Sequence, residues 1–341
     1  MFRYTNYRTV LKVNFQAYCI RMNKSRIHKP ELRTIESAVG LLRLGNIVSF
    51  PTETVYGLGA DATNSAAIAK VFAAKNRPTF NPLIVHLSDP SEAEHYVEMN
   101  EIALALAFAF WPGPFTMVLP LKDNSPISDL ITVGLDTVAI RVPANKVAHK
   151  LLETFGGPIA APSANKSGHI SPTTAHHVDG EFGDELEMII DGGPCDKGIE
   201  STIVQVMDDQ IILLRPGSIT AEDIKIITNI KVITIIEPTD NPVAPGQLKS
   251  HYAPNAKMRL NADEPKDGEA YLAFGKTSAH DNMLNLSSIG DLEEAAANLF
   301  SMMRVLDDLD LKTIAVAPIP MSGLGLAIND RLTRAAAPKE E

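Results

Sequence analysis

Between Ile47 and Leu87 the chain passes from a short apolar strand, Ile47-Val48-Ser49-Phe50, through the threonine- and glycine-rich turn PTETVYGLG into a helical pattern. It then runs through KNRP into a second apolar stretch, Leu83 to Leu87. This is an α/β succession. The helix is expected over Ser65 to Lys75, with Asn64 as N-cap and Ile68, Val71 and Phe72 on its buried face. The hydroxyls of Thr52 and Thr54 then fall at a strand's C-terminal end, where α/β sheets bind ligands. Lys75 and Arg77 end the helix and are expected to project into the next loop, a pair suited to a polyanion. KNRP also satisfies a purely local role, because basic residues suit the helix C-terminal dipole and Pro stops the helix.

Elsewhere, a helix is expected from Thr34, as N-cap, to Gly45, and a long apolar helix over Ile102 to Phe110. Short β-rich runs follow at Phe115–Leu121, Val138–Val142, Pro158–Ala161, Met188–Asp191, Ser201–Val206 and Ile211–Arg215, separated by Gly and Pro turns. With few helices among them, they favour a twisted, mixed, open α/β sheet with flanking helices over a doubly wound parallel one. Helix Ala221–Ile227 is expected to close this domain. Glu237 to Pro254, EPTDNPVAPGQLKSHYAP, reads as a linker, and a βαβα unit follows with strands at Ala270–Phe274 and Thr313–Ala317. The resulting division is an extension over 1–30, a first domain over 31–236, a linker over 237–257 and a smaller α/β domain over 258–341.

A chain of 341 residues exceeds the usual size of one core. Its longest apolar helix is too short for the roughly 20 residues of a membrane span. Cys19 and Cys195 have no CxxC or His partner at ligand spacing, which fits a reducing, cytoplasmic setting. Net charge is −10; seven basic residues and no acid lie in the first thirty, leaving 24 basic against 41 acidic residues in the remainder. A balance of −17 opposes a surface built to grip nucleic-acid phosphates, although a local patch for weak tRNA contact is compatible with it. The basic, acid-free start is compatible with a dispensable extension, a misassigned start before Met22, or an organellar targeting segment.

The ordered set PTETVYGLGAD, KNRP, NPLIVHL, RVP at Arg141, PSAN at Pro162–Asn165, STIV and LRPG resembles the YrdC-type threonylcarbamoyl-AMP synthases from about Leu32 to Gly217. The tail from about Ala256 resembles the extra Rossmann-like domain of the longer, two-domain members. The resemblance implies condensation of L-threonine, bicarbonate and ATP to L-threonylcarbamoyl-adenylate with release of pyrophosphate. A tRNA-modifying transferase complex would receive the product. Lys75 and Arg77 are then the catalytic cations, and both contact ATP together with Asn81, Thr137, Ser163, Asn165, Ser171, Arg215 and His251. Threonine falls to Thr54, His86, Arg141, Ala161 and Ser201. The same likeness makes the linker a lid over both substrates. Mg2+ is expected with the triphosphate, but no acidic pair nominates itself as a protein ligand.

Local readings compete at several of these positions. A hydroxyl-rich turn bonds its own backbone, and a lone His at a strand end serves packing. An Arg in a buried strand is satisfied by an internal carboxylate as well as by a substrate. Glu200, beside Ser201, has no assigned part. No GxxxxGK[ST], GxSxG or HExxH occurs, so ATP would be held by residues dispersed over several strand ends. Two other functions share features with this chain. One is an RNA-binding module of the same fold without catalysis, which the charge balance opposes; the other is a carbamoyl-transfer maturation enzyme, whose cysteine-paired zinc modules are absent.

Overall fold

The structure is a computed structural model describing residues 26–237, 239 and 242–338. Among them, eleven strands form one mixed sheet. These are Ile27–His28 (β1), Val48–Phe50 (β2), Gly57–Asp61 (β3), Ile84–His86 (β4), Phe115–Pro120 (β5), Thr137–Arg141 (β6), Ile159–Ala160 (β7), Ile189–Ile190 (β8), Thr202–Val206 (β9), Ile211–Arg215 (β10) and Val232–Thr234 (β11). Their spatial order is β1-β8-β2-β3-β7-β4-β6-β5-β9-β10-β11. Parallel pairs such as β4 with β6 stand beside antiparallel ones such as β5 with β6, which is the mixed sheet the strand-rich pattern predicts.

Helices Leu32–Arg43 (α1), Ser65–Lys75 (α2), Glu101–Phe110 (α3), Asp129–Thr132 (α4), Lys146–Phe155 (α5), Ala175–Phe182 (α6) and Ala221–Thr228 (α7) accompany this sheet. Asn64 caps α2 as expected, accepting from the N–H groups of Ala66 and Ala67. Four expectations are corrected. Thr34 does not cap α1, whose N-cap position is Glu31, without a side-chain bond. The last third of the presumed Pro51–Gly59 turn is the start of β3, paired antiparallel with β2; a Cβ on Gly59 would stand 2.7 Å from the Phe50 ring, so only glycine permits the pairing. Helices α4, α5 and α6 are additional, α5 burying Ala148, Leu151, Leu152 and Phe155 at helical spacing. Strand β11 extends the sheet beyond α7, pairing with β10.

Residues 1–25 of the expected extension lie outside the described residues. Its last residues join the fold instead of trailing from it: β1 pairs in parallel with β8, and Lys29 meets Asp191 at 2.7 Å.

A separate C-terminal α/β domain carries a four-stranded, all-parallel sheet of Lys257–Arg259 (β12), Ala270–Ala273 (β13), Met283–Asn285 (β14) and Thr313–Val316 (β15), in the order β12-β15-β13-β14. Helices Leu292–Asp307 (α8) and Leu324–Ala336 (α9) complete it. The expected βαβα unit therefore gains two edge strands, each three residues long and short of fully buried side chains.

Strand alternation divides the large sheet into two faces. Val85, Met117, Ile140, Val204 and Leu213 point into the main core. Ile84, Val118, Ala139, Ile203 and Leu214 point the other way and form a small cluster with Ala244 of the linker. The linker thus lies against the sheet's second face, next to the residues of the site.

Candidate active site

A cavity of about 40 Å³ lies against that second face. His86 and Arg141, the last residues of β4 and β6, meet there in register, joined by Ala161 and Ser163 and by Thr52 and Thr54 from the turn after β2. Arg77, Glu200 and Arg215 complete the walls, and Pro245, Gly246, His251 and Tyr252 of the linker close it. Gly246 has φ 89°, and a Cβ there would meet Arg215 Cδ at 2.8 Å, so the linker's close approach requires glycine.

The cations do not project into a loop. Lys75 and Arg77 are 1% and 7% exposed. Lys75 follows Val71 and Phe72 on the buried face of α2, and its Nζ donates to the carbonyls of Ser163 and Asn165. Asn76 then turns left-handed at φ 49°, and Arg77 folds back so that its Nε and Nη2 donate to Asn81 O at 3.1 Å and Pro82 O at 2.8 Å. Both groups are cationic donors anchored to backbone. Burial and then the Arg77 charge pull the Lys75 ammonium well below its ordinary pKa. Burial brings Arg77 down to about 9 and Arg215 to about 10.

Arg141 has an internal partner. Its Nη2 meets Glu53 Oε1 at 2.6 Å, its Nη1 donates to Thr54 Oγ1 at 3.0 Å, and its Nε donates to Gly113 O at 3.2 Å. These bonds use three of the guanidinium's five N–H groups. Burial pushes the Glu53 carboxyl up, but Arg141 and the backbone N–H of Ala144 more than offset that and hold it below the usual range. Thr54 Oγ1 is also hydrogen-bonded with Thr52 Oγ1 at 2.8 Å. Ser201 Oγ lies 2.7 Å from Thr116 Oγ1 and accepts from Arg215 Nη2 at 3.1 Å. The Ser171 hydroxyl donates to Glu200.

Several of the expected site residues carry buried polar atoms without a protein partner: both side-chain atoms of Asn81, Asn165 Oδ1, and the Nδ1 atoms of His86 and His251. Such groups are costly in an interior unless a ligand or water meets them. Burial, then Arg141, takes His86 down to about 3, and burial with the surrounding Arg77, Lys75 and Arg215 takes His251 well below its ordinary value; both rings are neutral at pH 7.

Thr137 is not brought to this cavity. It stands on the same face of β6 as Arg141 but at the other end, lining a separate depression with Pro120 and Gln205; Ala139, packed against Ala244, lies between them.

Three site residues were not singled out from the sequence: Glu53, Thr116 and Arg331. Glu53 is the one carboxylate in a turn of hydroxyls, and Arg331, with Arg334, is a charge among the buried positions of α9 beside Ala327, Ile328, Leu332 and Ala335; such charges on faces that should be buried are legible in the sequence. Glu200, which lines the cavity, and Glu53, behind Arg141, are each committed to an arginine, and no group of three potential metal ligands occurs among the described residues. The donor set does not fit a metal ion held by protein.

A family model described as "Telomere recombination", of the Sua5/YciO/YrdC type, matches residues 40–217, and one described as "Threonylcarbamoyl-AMP synthase, C-terminal domain" matches residues 219–337. The chain is 41% identical to the threonylcarbamoyl-AMP synthase of Pyrococcus abyssi over 89% of this chain and 94% of the relative. It is 40% identical to that of Bacillus subtilis over 89% and 92%. The crystal structure of P. abyssi Sua5 complexed with L-threonine superposes with TM-score 0.84 and 38% identity, covering 91% of this chain and 96% of that one.

Proposed function

The chain belongs to the two-domain threonylcarbamoyl-AMP synthases, and from that premise we propose that the cavity closed by the linker is where L-threonine, bicarbonate and ATP are condensed. One observation carries this reading. Arg77, Arg141 and Arg215 line the cavity and Lys75 is buried beside it, while the two carboxylates nearby, Glu53 and Glu200, are paired to Arg141 and Arg331, so that Lys75, Arg77 and Arg215 form no ion pair among the described residues. A buried excess of positive charge needs an anion, and the reaction brings a carbamate to a triphosphate that carries about four negative charges at neutral pH.

The amine of threonine takes up bicarbonate with loss of water. The carbamate oxygen then attacks the α-phosphorus, the bond to the β-phosphate oxygen breaks, and pyrophosphate leaves. Fixed donors are what this step requires, because charge is redistributed without a large change in covalent framework. Lys75 and Arg77 hold phosphate oxygens, with Asn81, Ser163, Asn165, Ser171, Arg215 and His251 as neutral or charged partners. Threonine lies by Thr54, Ala161 and Ser201, its carboxylate on the remaining N–H groups of Arg141. Neutral His86 supports Arg141 without competing charge. Magnesium arrives with the nucleotide, held by phosphate and water.

A cavity of about 40 Å³ is far below the several hundred Å³ of a cofactor-sized site. Residues 237–257 therefore act as a lid, whose part around Ala244–Gly246 lifts for ATP. Lifting Ala244 from Ala139 also joins the cavity to the depression beside Thr137, which restores Thr137 as an ATP contact. The adenylate passes to a tRNA-modifying transferase, and any tRNA contact by this acidic chain is weak.

The test is mass detection of threonylcarbamoyl-adenylate, with pyrophosphate release that requires both L-threonine and bicarbonate. Release equally fast without threonine leaves a simple nucleotide hydrolase. Selectivity provides a second expected outcome: serine should lose only about 1–3 kcal/mol, the worth of a methyl, whereas valine leaves Thr54 or Ser201 unpaired and should lose more. Comparable turnover of valine and threonine would show that neither hydroxyl reads the side chain.

A further inference from the structure

The C-terminal domain enters the site through α9. Arg331 is fully buried, and its Nε donates to Glu200 Oε2 at 2.8 Å across the domain boundary, while its Nη1 donates to Asp330 Oδ2 at 2.7 Å. The same carboxylate of Glu200 accepts from Ser171 through its other oxygen. The Arg331 guanidinium also lies 5.4 Å from the centre of the Tyr252 ring. Tyr252 adopts a left-handed backbone at φ 64°, uncommon for a residue with a side chain, and its opposite contact is a stacked Phe300 of α8 at 5.4 Å. One turn on, Arg334 donates to Leu248 O at 2.6 Å and Ile236 O at 2.8 Å, is held by Asp330 at 2.9 Å, and accepts the His251 N–H on its own carbonyl at 3.3 Å.

Glu200 is the reason this matters chemically. It lines the cavity. Without a counter-charge it would set a buried negative charge beside the phosphates of ATP. Arg331 supplies that counter-charge from behind the cavity wall, in a domain that contributes no residue to the lining itself.

We propose that Arg331 is a positioning residue of the synthase site: from the C-terminal domain it neutralises and orients Glu200, and with it Ser171, while it holds Tyr252 in the closed linker. The inference rests on the reading of the cavity as the synthase site. It makes the C-terminal domain a working part of the nucleotide pocket. Asp330 orients Arg331 and Arg334 together, so the linker and the carboxylate are fixed by one helical turn.

The experiment uses the full chain as wild type, Arg331→Met, Glu200→Gln and the double variant. Arg331→Met should raise KM for ATP by about tenfold to a hundredfold, the worth of a charged hydrogen bond, with a smaller change in KM for threonine, and should speed protease cleavage within 237–254. Adding Glu200→Gln should bring KM for ATP back to within a few-fold of the Glu200→Gln variant alone, because the uncompensated charge is gone. A merely structural arginine would show no such rescue. Unchanged KM for ATP, or a loss that Glu200→Gln leaves untouched, overturns the proposal. If Arg331→Met fails to fold, Arg331→Lys keeps a charge but not the fork to both carboxylates, and the same split in KM is expected; equal KM values overturn it. Wild type that makes no adenylate refutes the synthase reading instead, and unchanged linker cleavage in the variants would then separately refute the hold on Tyr252.

Discussion

Replacing Lys75 with Ala should lower kcat/KM for ATP by about 10²- to 10³-fold, the range for removing one preorganised donor from a site where charge develops. It should also lower the melting temperature. A lysine at an exposed helix end would be neutral to stability, but this one donates to Ser163 O and Asn165 O inside the protein. Stranding two buried carbonyls costs roughly 1–3 kcal/mol each. Part of that is returned, because burying an ammonium is itself unfavourable, as the depressed pKa of Lys75 states. A net loss of about 1–4 kcal/mol remains. Lys75→Met, which keeps the packing of the stem, should recover some stability and none of the ATP use. Thermal unfolding beside steady-state pyrophosphate release checks both, and a variant with wild-type melting but lost ATP use would return Lys75 to an exposed role.

Glu53→Ala should be the most destabilising single change in the site, by about 3–5 kcal/mol, because it leaves Arg141 buried without its counter-charge. The pair lies at 2.6 Å with both side chains under 10% exposed. Two backbone N–H groups, of Ala144 and Asn145, lose their acceptor as well. Combining it with Arg141→Met should cost less than the two changes summed, since no lone charge is then left inside. The pH dependence follows from the sign of the shift. The folded-state pKa of Glu53 lies below the ordinary 4.5, so its stabilisation is complete above that value and disappears as pH falls through the depressed one. In Glu53→Gln this acid-linked loss should shrink, measured by denaturant unfolding from pH 7 down to pH 3. An undiminished acid slope would assign the linkage to other carboxylates.

Elements with a strong local signal were legible in the sequence. Helix α2 has both its cap and its apolar spacing, and β10 is bounded by a turn and an arginine that must be satisfied. What escaped was set by partners far along the chain. β3 looks like a turn because its glycines suit one, yet Gly59 lets Phe50 and Ile159 pack close against the strand where a Cβ would collide. β12 and β14 are three-residue edges whose pairing is decided by β15 and β13. At the site, residue types were readable but their state was not. KNRP predicts a cationic helix end; that Lys75 is buried depends on PSAN, some ninety positions later, supplying its carbonyls, whereas Arg77 folds back on Asn81 and Pro82. Glu200 could be seen beside Ser201, but its counter-ion sits 131 residues away in the other domain.

The two carbonyls bound by Arg334, of Ile236 and Leu248, meet on a single guanidinium. Ile236 and Leu248 therefore meet at one place, so the chain leaves and returns there as a loop and is not a strap strung between domains. Ala244, Pro245 and Gly246 belong to that loop, whereas His251 and Tyr252 lie beyond its base and stay with α9. On the proposed reading of the cavity, access for a nucleotide needs only local opening of the loop, while the contact between the domains persists. The rate of entry is then expected to follow the stability of one short segment, with His251 and Tyr252 kept in place on the other side of its base.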